Sequence, residues 1–166
     1  MTLKRFAVVR TDNMMGTKIG SFLVSLRYPA EIENGNILAI GALEDESREV
    51  REATVPGAAT PIGELALIAS EEIVKDARNN KHDIFEFINE ANTTLRGYRL
   101  APNDIFSVSP KALHASSPAP AVGQFACVNA DSKIRLAAAS TGTVVGKVIA
   151  VEMESNGDEW IVIQVQ

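Results

Sequence analysis

Few residues of this chain have the types and spacing that catalysis or metal binding requires. The two histidines, His82 and His114, do not belong to a ligand-spaced motif such as H-E-x-x-H. His82 stands next to a lysine and an aspartate, which indicates a surface position, and His114 is predicted to lie in a strand, exposed or partly buried. The single cysteine, Cys127, stands in the apolar run "GQFACVNA", which favours a buried core residue.

Other motifs with possible chemistry also fail on spacing. The stretch "MGTKIGS" lacks the G-x-x-x-x-G-K-[ST] spacing of a phosphate loop, and the chain contains no G-x-S-x-G nucleophile elbow. The acidic run Glu44-Asp45-Glu46 has no other ligand cluster nearby, so a solvated turn is favoured over a metal site. We therefore predict no catalytic residue, metal or cofactor, and no enzymatic activity.

Composition limits the class of protein. The 166 residues are 46% hydrophobic, enough for a core, and fit one domain or one domain with an extended arm. The net charge is −5 and no run of Lys and Arg is present, so we predict no direct binding to nucleic acid. No apolar stretch reaches the ~18 residues needed to span a bilayer, and no signal peptide is recognisable, which predicts a soluble protein made in a reducing cytoplasm.

The strand signals are clearest at the C-terminus. The runs "VGKVIAVEMES" and "DEWIVIQVQ" flank Asn156-Gly157, which predicts a hairpin with a type I′ turn. Ile149, Val151 and Met153 are expected to share one face of the first run. Shorter strands are predicted upstream in "NDIFSVS", "KALHAS", "GQFACV" and "KIRLAAAS", and in "NILAIGAL" with "SREVREATV" as its hairpin partner.

Helical signals are confined to the middle of the chain. "PIGELALIASEEIVKDA" fits both a strand and a helix period, and we interpret it as a strand to Ala69 followed by a short helical turn. "HDIFEFINEA" has apolar residues at helical spacing from Ile84 to Ala91 and Asp83 as an N-cap, which predicts a short helix. The predicted fold is mainly β: a small β-barrel with an extended N-terminal arm and one or two short helices.

The stretch "RGYR" at residues 96–99 could bind an anion or mark the entry to a strand. Nothing nearby completes an anion site, whereas Gly97 fits a bend or bulge and Asn103-Asp104 a turn, so the structural interpretation is favoured. Arg96 and Arg99 are expected to bond carbonyls or carboxylates at the barrel rim.

The first thirty residues differ from the rest. Two β-prone segments flank the polar stretch "TDNMMGTKIG", and they are too short to form a core of their own. We predict an N-terminal arm or edge strands over residues 1–30 and a β-barrel domain over residues 31–166, with a short helical insertion around 70–92. An unpaired strand is a template for another chain, which gives six candidate partner-binding residues: Phe6, Val8, Met14, Met15, Phe22 and Val24.

Several segments resemble structural proteins of tailed bacteriophages. They are "NEANTTLRGYRLAPNDIFSVS", "SKIRLAAASTGTVVGKVIAVE" and "DEWIVIQV", and the C-terminal half is similar to lambda-like head-decoration (cement) proteins. In those proteins a short strand, a small-residue linker and a "VGkviav" hairpin close a β-tulip barrel. Residues 133–137, 140–143 and 145–151 stand in those places here, while the middle, residues 60–95, is longer than in that family.

The resemblance implies a virion structural protein on the capsid exterior, made in the host cytoplasm. Its partners would be the major capsid protein and neighbouring copies of itself, as a homo-oligomer, with no direct contact to nucleic acid or membrane. Its role would be capsid decoration or the base of a head fibre. Two alternatives stay open: another phage component of the tail or connector, and a small-ligand-binding β-barrel or an enzyme without a recognised motif.

Overall fold

The computed structural model describes residues 5–73 and 83–166. Within them the chain forms eleven strands and short 3-10 turns, without a long helix, which confirms the predicted mainly β fold with a small barrel. The strands are β1 (Val9–Asn13), β2 (Leu23–Arg27), β3 (Ile37–Leu43), β4 (Val50–Thr54), β5 (Leu65–Ile68), β6 (Thr94–Arg99), β7 (Ile105–Val108), β8 (Phe125–Val128), β9 (Arg135–Ala137), β10 (Thr143–Met153) and β11 (Glu159–Val165).

Five strands close into a barrel in the order β2-β4-β3-β5-β6, with β6 pairing back to β2. The β2–β4 pair is parallel and the others are antiparallel. The predicted hairpin of "NILAIGAL" and "SREVREATV" is confirmed as β3 and β4. Closure leaves no open edge in this part of the molecule.

The other six strands form an open sheet in the order β1-β7-β11-β10-β8-β9, with antiparallel pairing throughout. The barrel lies against one face of this sheet. Leu38, Ala66 and Ile68 point into the barrel, while their neighbours Ile37, Leu65 and Leu67 point outward into a core shared with the sheet. Alternate residues of β3 and β5 therefore pack into two different cores, the barrel interior and the core shared with the sheet.

The two N-terminal strands lie in different parts of the fold, β1 in the six-stranded sheet and β2 in the barrel. β1 is an edge strand, whereas β2 is an internal barrel strand that pairs with β4 on one side and β6 on the other. The prediction that residues 31–166 form the barrel without residues 1–30 is therefore wrong, because β2 is one of its five strands. Leu26 explains the difference, because it is fully buried among the residues that fill the barrel.

The C-terminal hairpin is confirmed, but its turn differs from the prediction. Among the residues of this turn, only Gly157 has a positive φ, of 88°, whereas a type I′ turn needs two such residues. The Gly157 N–H donates to the Glu154 carbonyl at 2.9 Å, and the Asp158 N–H donates to the Asn156 side chain at 3.0 Å. The connection is therefore one residue longer than a two-residue hairpin loop.

Two irregularities in β10 change which side chains face the core. The register of β10 shifts between Val144 and Gly146 against β8, and between Val148 and Ala150 against β11. Ile149 is consequently 40% exposed whereas Val151 packs against the main core, so the prediction that these two residues share one face is wrong. A bulge inserts one residue and so reverses the alternation beyond it.

The predicted helix from Ile84 to Ala91 is wrong beyond its first turn. Asp83 does cap it, accepting a bond from the Phe85 N–H at 3.1 Å, but the turn is a 3-10 turn over Ile84–Glu86. Asn89 then exchanges two backbone bonds of 3.0 Å with Ile32, which keeps the chain extended. The helical turn predicted after Ala69 does not begin within residues 70–73, and its remainder falls in residues 74–82, outside the described residues.

Two further strand predictions have different outcomes. β5 runs from Leu65 to Ile68, close to the predicted strand end at Ala69. "KALHAS" forms a 3-10 turn, Pro110–Ala112, because a proline begins it, and it continues into a single bridge between Leu113 and Ile134.

Candidate partner-binding surface

Two of the six predicted partner-binding residues lie inside the chain's own core. Val8 is 3% exposed and packs with Phe85 and Trp160 on the face of the six-stranded sheet away from the barrel. Met14 is fully buried in the core that the barrel and sheet share. Neither side chain can contact a partner in the folded protein, so for both the prediction is corrected to a core role.

The other four predicted residues lie nearer the surface. Phe6 is half-buried, and its N–H donates to the Phe85 carbonyl at 2.6 Å. Phe22 and Val24 are also half-buried, and Val24 packs against the residues that fill the barrel. Met15 is 37% exposed. The structure therefore does not bring the six residues together on one surface.

A different apolar surface lies in the same segment. We use the name apolar patch for Met15, Ile19 and Leu23, whose exposed fractions are 37%, 46% and 37%. Sequence reasoning found only Met15. The signal for Ile19 is an isolated large apolar residue between Lys18 and Gly20 in an otherwise polar stretch, a position where a core role is not expected.

Two consecutive 3-10 turns, Met15–Thr17 and Gly20–Phe22, position the patch. The Ile19 N–H donates to the Met15 carbonyl at 2.8 Å, which brings these two residues together. The Met15 N–H in turn donates to the Asp104 carboxylate at 2.8 Å, which ties the first turn to the loop before β7. These two hydrogen bonds hold the segment that carries the patch in a fixed position on the barrel.

Gly16 allows the first turn to lie against the barrel. A Cβ at this position would be 2.7 Å from Cδ1 of Tyr98 and 3.5 Å from Cδ2 of Leu23. Tyr98 lies in β6, directly opposite Leu23 in the neighbouring strand β2. The close approach places the turn that begins at Met15 directly beside Leu23.

The chemistry that the patch offers is non-polar contact. Large apolar side chains left in water cost free energy that burial against a partner recovers, at about 25 cal/mol per Å². Its charged neighbour is Lys18, whose ammonium donates to the Asn13 side chain at 2.7 Å. The patch thus suits a partner surface that is itself apolar.

His114, in the loop after β7, forms a structural cluster with Asp131 and Arg135. The Nδ1 atom of His114 accepts bonds from the Ser116 N–H at 3.1 Å and lies 2.8 Å from the Ser116 hydroxyl. Asp131 lies 3.5 Å and Arg135 3.3 Å from Nε2 of the same ring. Both bonds to Ser116 close a local turn, and the cluster ties this loop to β9. His82 lies outside the described residues.

The "RGYR" stretch lies within β6, which agrees with its structural interpretation. The bend or bulge predicted at Gly97 is wrong, because Gly97 pairs in regular register with Val24 and with Ile68. Arg96 bonds the Glu71 carboxylate at 2.9 Å and Arg99 bonds the Gly63 carbonyl at 2.8 Å. A Cβ on Gly97 would be 3.0 Å from side-chain atoms of three residues, Val24, Leu26 and Ala66. Gly97 therefore fits the filled interior of the barrel, and a larger residue there requires these three side chains to move by a few tenths of an ångström.

Cys127 is buried in β8, as predicted. Among residues 5–73 and 83–166, no three His, Cys, Asp or Glu side chains are grouped closely enough to ligate a metal ion. The part of the chain that the structure describes contains no helix long and apolar enough to cross a membrane. No family model, curated protein or solved structure matches this chain.

Proposed function

We propose that this chain is a structural protein of a tailed-bacteriophage virion, which binds the outside of the capsid and stabilises the mature shell. The apolar patch is the observation that carries the proposal. Three large apolar side chains, Met15, Ile19 and Leu23, are presented to solvent on the barrel wall, and burial against another protein would stabilise them there. The resemblance of the C-terminal hairpin region to head-decoration proteins supports the same conclusion.

The mechanism is a shift of an equilibrium between shell states. A protein that binds a surface present only in the mature lattice stabilises that lattice by the free energy of binding. The barrel and the sheet share one apolar core, which holds them rigidly together. The chain can therefore bridge two capsid subunits without movement between the barrel and the sheet. The net charge of −5 suits an exterior position, away from packaged DNA.

The small-ligand alternative receives less support from the barrel. Its interior is filled by the chain's own side chains, among them Leu26, Leu38, Ile68 and Leu95, each 1% exposed or less. Side-chain atoms crowd the position of Gly97 from three sides at 3.0 Å. Ligand-binding barrels need an open cavity, and small five-stranded barrels are usually filled.

The experiment substitutes one patch residue and measures binding to expanded empty shells. Ile19→Glu places a charge in the patch while leaving the core intact, since Ile19 is 46% exposed. Loss of one buried isoleucine contact weakens binding by about 2 kcal/mol. We expect the variant to co-sediment with expanded shells about thirtyfold more weakly than the wild type.

The matched control is Met153→Glu. Met153 is 69% exposed at the end of β10, outside the patch, so the same kind of charge is added to a different surface. The control should bind as the wild type does, and both variants should unfold at the wild-type temperature. Equal binding by Ile19→Glu and the wild type would remove the patch from the mechanism.

A further inference from the structure

The outer edge of β1 is an open strand edge. β1 ends the six-stranded sheet, and within the described residues no strand pairs with its outer side. The opposite edge is covered, because Leu113 bridges Ile134 next to β9 and the Leu136 N–H donates to the Ser117 hydroxyl at 3.1 Å. An open edge of this kind is a template for pairing with another strand.

The hydrogen bonds to β7 fix which backbone groups of β1 point outward. The Ser109 N–H donates to the Val8 carbonyl at 3.0 Å, and the register pairs Val9 with Val108 and Arg10 with Ser107. Residues of an antiparallel strand alternate between bonding one neighbour and the other. Because Val8 and Arg10 bond toward β7, the N–H and carbonyl groups of Val9 point away from it. The register of β1 shifts between Arg10 and Asn13. We infer that Thr11 keeps the outward direction of Val9, because Asp12 still contacts Ser107, the residue opposite Arg10.

The sequence of β1 is self-complementary about Thr11. When two copies of "VRTDN" pair antiparallel about a twofold axis at Thr11, Arg10 of each copy lies opposite Asp12 of the other. Thr11 then pairs with Thr11 of the second copy through two backbone bonds. Arg10 and Asp12 form the pairs without backbone bonds, where side chains approach most closely and opposite charges are favourable.

Both charged side chains contact groups of their own sheet and remain exposed. The Arg10 guanidinium lies 3.7 Å from the centroid of the Trp160 ring and 2.5 Å from the Glu154 carboxylate. Asp12 accepts a bond from the Ser107 hydroxyl. Both residues are exposed, so a second copy can reach them.

We propose that β1 of this chain pairs antiparallel with β1 of a second copy, about a twofold axis through Thr11. The pairing joins two six-stranded sheets into one continuous sheet. A register shift between Arg10 and Asn13 restricts the new ladder to a few residues around Thr11, which makes the dimer a reversible one. The use of such a dimer on a shell rests on the proposed function, but its formation can be tested with the purified chain alone.

The first test removes one backbone donor. Thr11→Pro deletes an N–H that points outward and is not needed by the β7 pairing, a position where an edge strand tolerates proline. We expect the dissociation constant of the dimer, measured by sedimentation velocity, to rise at least about tenfold. Thr11→Val retains the N–H and should dimerise as the wild type does. A wild-type chain that stays monomeric up to about 100 μM would overturn the proposal.

The second test uses charge and remains decisive if the proline variant unfolds. Asp12→Arg places Arg10 opposite an arginine of the second copy, and Arg10→Asp places Asp12 opposite an aspartate, so each variant alone should be mainly monomeric. Mixed in equal amounts they form complementary pairs at both positions, and a heterodimer should appear. A mixture that stays monomeric, or single variants that dimerise as the wild type does, would contradict the pairing of β1 strands.

Discussion

At the scale of single residues, Gly97 is limited by the space around it. Its missing side chain leaves room for Val24, Leu26 and Ala66 inside the barrel. Gly97→Val adds volume to this filled interior, and we expect it to lower the free energy of unfolding by about 1–3 kcal/mol. Urea unfolding followed by circular dichroism measures the change. Gly63→Val is the control, because no atom lies within 4 Å of the Cβ position there; equal losses in both variants would contradict crowding as the cause.

Gly157 is limited by its backbone instead. A Cβ there would meet no atom within 4 Å, but φ is +88°, a region that β-branched residues rarely adopt. We expect Gly157→Val to destabilise the protein by about 1–2 kcal/mol, and Gly157→Asn by less, because asparagine tolerates positive φ. Thermal unfolding of the two variants side by side gives the comparison. The same melting temperature for Gly157→Val and the wild type would show that the turn does not need this conformation.

At the scale of elements, β2 decides whether the barrel can exist. It pairs with β4 and β6, so its loss opens the barrel and leaves both neighbours with unpaired edges. Deletion of residues 1–28 should therefore abolish cooperative unfolding, which circular dichroism in increasing urea would show. A shorter deletion, of residues 1–5, removes neither β1 nor β2 and should retain the transition. A cooperative transition in the longer deletion would return residues 1–28 to the role of a dispensable arm.

The elements also show how far local patterns can predict this fold. The alternation in β11 is strong in the sequence and agrees with the structure: Ile161, Ile163 and Val165 lie in the main core while Trp160 packs on the opposite face of the sheet. The helical spacing after Ile84 was misleading, because backbone bonds between Asn89 and Ile32 override it. Local periodicity does not contain that long-range pairing.

The division into a barrel and a sheet was also beyond the sequence patterns. It depends on the parallel β2–β4 pair and on the pairing of β1 with β7, which are distant in the chain. The sequence predicts the region of the candidate surface but only one of its three residues, Met15. Met14 and Met15 are chemically alike and adjacent, and only the packing of Met14 under the sheet separates the buried residue from the exposed one.

At the scale of the whole molecule, one core joins the barrel to the sheet. Leu67 of β5 is fully buried and belongs to the same cluster as Phe106 and Ile161 of the sheet. Leu67→Ala should therefore destabilise both parts together, by about 2–5 kcal/mol. Fluorescence of Trp160, the single tryptophan, reports on the sheet, and far-ultraviolet circular dichroism reports on all strands.

The two signals should shift together to the same lower urea midpoint, as expected for a single cooperative unit. Leu43→Ala, at a position 45% exposed at the end of β3, is the control and should change the midpoint little. Separate transitions for fluorescence and circular dichroism would contradict a shared core, and with it the rigid connection that bridging two capsid subunits requires.

The central claim, that this chain is a capsid-binding structural protein, is tested most directly by its amount in purified virions. If the proposed function holds, a phage encodes the chain, and quantitative mass spectrometry of its virions compares the copy number of the chain with that of the major capsid protein. We expect the virions to contain the chain in a copy number comparable to that of the capsid protein. We also expect the chain to be released when the shells are dissociated. Its absence from virions that contain the capsid protein in full amount would contradict the proposed function.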